Sequence, residues 1–251
     1  MKFRKEAVVD GKAADLRPPG HPEHRPLGGK SGTLRASIFG ANDGLVSNLA
    51  LIMGVAGATR NNSVVLLAGI AGLLAGAFSM GAGEFISMRV QRDVFENLIE
   101  YERSEQETEP EAELLELTQI YENRGIPSDL ARAVAEVIHA DPQLTLETHA
   151  REELGLDISD LGAPWAAAIS AFITFSIGAL IPLVPFIFGS GTSAIVSASI
   201  LSGLALFAIG GIMTVFTGKH FVLQGLKMMV IGGAAAGITF IVGKALGVNL
   251  S

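Results

Sequence analysis

The side chains that invite a chemical reading fall into two groups, one in apolar sequence and one in acidic sequence. Asp43 is the single charge in the 24 residues from Ala36 to Thr59. A carboxylate there costs about 2.5–3.5 kcal/mol on membrane-insertion scales, so it needs a reason: either a cation or proton pathway, or a partner such as Asn42, Ser47 or a neighbouring helix. Met80 and Glu84 stand one helical turn apart in a second apolar stretch, Ser63–Met88, so their side chains share a face that can turn toward Asp43. Thioether plus carboxylate suits a borderline-soft divalent ion such as Fe²⁺ better than Ca²⁺ or Mg²⁺, which take all-oxygen shells. The competing readings are core packing for Met80 and a snorkelling carboxylate for Glu84.

The acidic group sits farther along. Glu102 and Glu105 are spaced i, i+3, as are Glu113 and Glu116, and His149 and Glu153 are spaced i, i+4. Each pair falls on one side of its helix, and three inward-facing helices would gather five carboxylates and an imidazole around one or more cations. At that density like charges repel unless something positive lies between them. The alternative is an ordinary solvated acidic face. Carboxylates around His149 are expected to raise its pKa. Glu136 and His139 form one Glu-x-x-His unit, whereas a carboxylate-bridged di-iron oxidase of the ferritin-like kind needs two. Cysteine is absent, which excludes thiolate metal sites and thiol catalysis.

These residues need a bilayer and a set of helices to position them. With 49% apolar residues and a mean hydropathy of +0.44, the 251-residue chain is too apolar for a water-soluble globule. Aromatics at 6% and 30 glycines favour closely packed helices over a girdled barrel. Residues 84–160 hold 20 of the 25 Asp and Glu but 6 of the 18 Lys and Arg, a surface that repels nucleic acid. Between Asp160 and Lys219 lie 58 uncharged residues, enough for two crossings broken at Gly189-Ser190-Gly191, with a kink expected at Pro182 and Pro185. A fifth crossing is expected over about Gln224–Val242. Ala68, Gly72 and Gly76, and likewise Gly233 and Gly237, recur at spacings that let helices approach closely.

The expected fold is thus an all-α integral membrane protein of five transmembrane helices with an acidic helical metal-binding domain inserted between helices two and three. Residues 1–32 form a flexible tail, 33–88 the first two spans, 89–160 the acidic domain and 161–251 the last three spans. The second span should run on through Arg89–Glu109 to Pro110, followed by helices over Glu111–Asn123, after Pro127-Ser128, and from Asp141-Pro142 to near Gly155. Leu114, Leu115, Leu117 and Ile120, then Leu130, Val134, Val137 and Ile138, are the expected buried stripes. Eight basic residues before Ala36 place that end, and with it the acidic domain, in the cytoplasm, leaving only Arg60 and Lys244 on the far side.

The runs Gly40-Ala41-Asn42-Asp43-Gly44-Leu45, Ser79-Met80-Gly81-Ala82-Gly83-Glu84 with Gln91-Arg92-Asp93, and Arg151-Glu152-Glu153-Leu154-Gly155-Leu156 together resemble the vacuolar iron transporter family. The resemblance implies a non-enzymatic homodimer of five-span subunits that moves ferrous iron, and manganese or other divalent ions such as Co²⁺ or Zn²⁺, out of the cytoplasm in exchange for protons. It implies that Asp43 and Met80 line the path between subunits and that Glu102, Glu105, Glu113, Glu116 and Glu153 bind metal. Plant members tend to carry methionine where His149 and Ala150 stand, and acidic residues where Gly32 and Ala36 stand. A bacterial plasma membrane is as compatible as a vacuolar one and is the preferred expectation. A membrane-bound metal sensor and a carboxylate-bridged iron oxidase are the alternative functions.

Overall fold

The computed structural model describes residues 29–214 and 218–248, so the expected tail lies outside the described residues except at 29–32, which are already helical. Nine helices and no strands are found among the described residues. They are α1 (Gly29–Ala58), α2 (Asn62–Thr108), α3 (Pro110–Asn123), α4 (Ser128–His139), α5 (Pro142–Glu152), α6 (Pro164–Leu180), α7 (Val184–Phe188), α8 (Gly191–Ile212) and α9 (Phe221–Val248).

Four of these, α1, α2, α8 and α9, are long and apolar enough to cross a membrane, and α6 is a shorter apolar helix of 17 residues. The expected kink in the third apolar segment is a break. Residues 181–183 form turns, and α7 restarts with a proline in its first turn. Pro182 has no N–H to continue the ladder of α6, which is why the chain leaves the helix there.

α2 behaves as the charge pattern anticipates, running 47 residues without interruption, about 70 Å at 1.5 Å per residue. Its start is fixed by Asn61, whose side chain accepts from the Ser63 N–H, and its end by Pro110, which opens α3. Gly125 and Gly155, at φ of +90° and +65°, turn the chain after α3 and α5 as no β-carbon-bearing residue readily would.

α1 is the hub, packed against α2, α6, α8 and α9. The crossings rest on missing side chains: a Cβ on Gly44 would overlap the Phe175 carbonyl of α6, and one on Gly243 of α9 would overlap the Gly54 carbonyl of α1. On α2, Gly72 and Gly76 receive Leu51 and Phe175. Within this chain Gly233 and Gly237 make no close approach, since no heavy atom outside their own helix lies within 4 Å of where their Cβ would stand; the expected packing within or between subunits is then left to contact with a second subunit. They open onto a groove, and the close approach on α9 is made by Gly243 and Gly247 instead.

Helices α3 to α5 and the end of α2 form the acidic bundle. Leu117 is buried as expected, but Leu115 is exposed, and α4 buries Ala131 and Ala135 while Leu130, Val134 and Val137 face outward. Small alanines at the contact let α4 lie close to its neighbours, and a helix of 12 residues cannot bury its opposite face against the same partners.

Candidate metal centre

Three helices of the bundle each bring one ionisable side chain to a common point. Glu102 near the end of α2, Glu113 in the first turn of α3 and His149 in the last turn of α5 are all buried, His149 completely. One potential ligand atom from each lies within 4.8 Å of the other two. His149 Nδ1 is 3.2 Å from Glu102 Oε1 and 3.4 Å from Glu113 Oε2, and it hydrogen-bonds the carboxylate of Glu153 one turn on. α5 is aimed by its own start, where the Asp141 side chain accepts from the Gln143 and Leu144 N–H groups, and by the Arg124–Glu152 ion pair at its end. Glu102 Oε1 and His149 Nε2 are buried with no hydrogen-bond partner. With the imidazole proton on Nδ1, toward Glu153, and Glu102 ionised, both atoms present lone pairs, and an unsatisfied buried acceptor is stabilised by a cation.

The electrostatics fit the same reading. Burial, then the charge of Glu153, pushes Glu102 up to about 7; burial, then Glu102, does the same to Glu113. Glu153 is also raised to about 7, by burial and then by Glu116 and Glu113. Glu105 and Glu116 therefore act on the cluster as charges at its rim. The imidazole corrects the expectation: its pKa is lowered, because burial of the cation outweighs the attraction of Glu113 and Glu116.

In the apolar half, Asp43, Met80 and Glu84 line one cavity of about 440 Å³ between α1 and α2, closed on one side by Phe175 of α6. Ser47 donates to the backbone carbonyl of Asp43, at 2.6 Å, and not to its carboxylate. Glu84 Oε2 is buried without a partner. Met80 also packs against the small-residue clusters around Ala171 and Phe175, so packing and ligation are both open to it.

The chain matches the VIT family over residues 34–244. It belongs to that family. It is 36% identical to a vacuolar iron transporter of Acanthamoeba castellanii over 85% of this chain and 78% of that one. It is 30% identical to rice vacuolar iron transporter 1, over 95% and 94% of the two chains. Arabidopsis thaliana vacuolar iron transporter 1 is 31% identical over 85% and 86%. These relatives are named as transporters, in line with a VIT protein that is not an enzyme.

In this VIT family member the structure brings Glu102, Glu113, His149 and Glu153 into contact, keeps Glu105 and Glu116 at the edge, and gathers Asp43, Met80 and Glu84 elsewhere. The Glu-x-x-His unit does not join the cluster in the contacts made, since Glu136 pairs with Arg132 at 3.0 Å on the surface of α4. Sequence reasoning passed over Asn48. It is buried beside Asp43's cavity, donates to the Ala179 carbonyl at 2.6 Å, and so holds an unpartnered amide oxygen. An asparagine five residues beyond a membrane aspartate was the available signal.

Proposed function

We propose that this VIT protein carries divalent iron, and other divalent transition ions such as manganese, out of the cytoplasm in exchange for protons. The acidic bundle captures the ion and the cavity at Asp43 passes it through the membrane. The observation that carries this reading is the buried Glu102–Glu113–His149 cluster, whose Glu102 stands on the same helix that contributes Met80 and Glu84 farther up. Glu102 stands eighteen positions beyond Glu84 along α2, about 27 Å at 1.5 Å per residue. Carboxyls raised to about 7 hold protons near neutral pH and release them when a divalent ion takes their place, which couples capture to proton movement.

Five crossings complete the path, the third made by α6 and α7 together, with residues 89–160 as a cytoplasmic domain between the spans 33–88 and 161–251. The density of basic residues before Ala36 supports that orientation. The chain works as a homodimer, with a second copy closing the open face of the Asp43 cavity, whose lining among the described residues comes from α1, α2 and α6 alone.

The test is uptake of Fe²⁺, kept reduced, into proteoliposomes of the full chain with an imposed pH gradient. Uptake that follows the gradient and collapses with a protonophore is the expected result. Metal binding without flux would reduce the protein to a sensor or buffer.

A further inference from the structure

A further cavity with charged walls lies apart from the sites described above. A chamber of about 860 Å³ lies at the opposite end of the bundle from the acidic domain, where the α1–α2 turn meets the start of α8 and the end of α9. Arg60 and Lys244 both line it, together with Thr59, Asn62 and Thr192. Among the described residues no acidic side chain lines the chamber with them: the sequence has no Asp or Glu between Asp43 and Glu84 and none after Asp160. α8 begins in the same chamber at Gly191, and Ser190 makes no side-chain cap, so first-turn N–H groups add their partial positive charge. Arg60 and Lys244 are both exposed and line one chamber with no acidic side chain among the described residues beside them, an arrangement that suits an anion from outside the chain.

The surroundings say which kind. Ile195 and Phe240 of the chamber wall also line an apolar groove of about 400 Å³ between α1, α8 and α9, where Gly233 and Gly237 stand open. On the other side, Ala58, Thr59 and Gly247 are shared with a second apolar groove of about 790 Å³ along α1 and α9. One cationic chamber flanked by two apolar grooves matches one anionic headgroup carrying two acyl chains. We propose that this end of the protein binds an anionic phospholipid, its phosphate on Arg60 and Lys244 and its chains in the two grooves. A free phosphate would use the chamber and leave the grooves without a role.

Native mass spectrometry of the delipidated full chain, titrated with phosphatidylglycerol or phosphatidylcholine of the same chains, tests this. Wild type should retain phosphatidylglycerol about tenfold better, the scale expected of two basic side chains at a headgroup. Arg60→Gln with Lys244→Gln should erase that preference, and Lys244→Gln alone should erase part of it, which keeps the test usable if the double variant folds poorly. Gly233→Leu, filling a groove where its Cβ meets nothing, should weaken both lipids alike and leave their ratio unchanged. Equal retention of the two lipids by wild type, or an undiminished preference in the charge variants, would overturn the proposal. So would displacement of phosphatidylglycerol by inorganic phosphate at matched concentration, which would make the chamber a free-anion site.

Discussion

In the acidic bundle, one chain brings together three side chains able to hold a metal ion, buried on three helices with one candidate atom of each within 4.8 Å of the others, and Glu153 beside the imidazole. In the membrane half, Asp43, Met80 and Glu84 are only half-buried and line an open cavity between two helices. The difference follows from what each solvent permits. In water, short helices can be turned so that polar groups converge, and the cost of burying them is offset by taking up protons, as the raised pKa values of Glu102, Glu113 and Glu153 record. In a bilayer a fully dry carboxylate is costlier, which accords with Asp43 and Glu84 lining a cavity and not a closed core. Capture and passage should therefore be separable by mutation.

The sharpest separation is Asp43→Asn, which keeps the side-chain volume and removes the charge. It should lower Fe²⁺ flux in proteoliposomes by at least about a hundredfold, the equivalent of the insertion cost that a membrane carboxylate must justify. Metal binding by the bundle, measured by calorimetry on the same full-length protein, should be unchanged. Flux near wild type would make Asp43 a structural residue.

The converse variant is Glu102→Gln with Glu113→Gln, which should abolish calorimetric binding at the bundle and gain stability without metal. The carboxyl pKa values are raised from an ordinary 4.5 to about 7, so between those limits the folded bundle binds more protons than the unfolded chain. Metal-free stability then falls as pH rises through that window. His149, lowered from 6.5, acts in the opposite sense just below that value, one group against three. At pH 7.5 the amides should stabilise the metal-free protein by on the order of 1–2 kcal/mol in thermal unfolding. Stability unchanged, with binding intact, would place the metal elsewhere.

How much of this contrast could be read from residues alone depended on periodicity. The helix boundaries of the bundle were legible because Pro110, Pro127, Asp141, Pro142 and the glycines at 125 and 155 punctuate it locally. The pairs Glu102/Glu105 and Glu113/Glu116 were legible as one-sided, but which member turns inward depends on how α2, α3 and α5 dock. Only Glu102 and Glu113 are buried. The outward face of α4 was misread for the same reason: Leu130 and Val134 mark an apolar stripe, yet Ala131 and Ala135 make the contact. In the membrane half nearly every position is apolar, so nothing in the pattern distinguishes Gly243, which meets α1, from Gly233, which meets no helix. The lowered pKa of His149 was invisible because apolar periodicity marks buried apolar stripes and gives no sign that a polar side chain such as His149 will be fully buried.

Met80→Leu probes the passage site more gently. Leu replaces Met at similar volume, usually for under about 1.5 kcal/mol, so the fold should survive. Transport of Fe²⁺ or Co²⁺ should fall several-fold relative to Mn²⁺, because the thioether favours the softer ions. Equal rates across the three ions relative to wild type would assign Met80 to packing against Phe175 and Ala171.

The smallest effect is expected at His149→Met, and it tests which groups in the bundle compete with metal for protons. Around neutral pH the competing protons sit on Glu102, Glu113 and Glu153, all raised to about 7, while the lowered imidazole is already neutral and free to coordinate. Metal affinity should therefore decline from about pH 8 to 6.5 with the same slope in wild type and His149→Met, since both keep the carboxylates. The curves should separate only below about 6.5, where the native imidazole begins to take a proton and the thioether cannot. Parallel binding isotherms across that range decide the matter. A wild-type curve that is already the steeper one above pH 6.5 would mean that the carboxylates facing His149 from α2, α3 and α5 raise its pKa after all, and that the bundle releases metal through its imidazole.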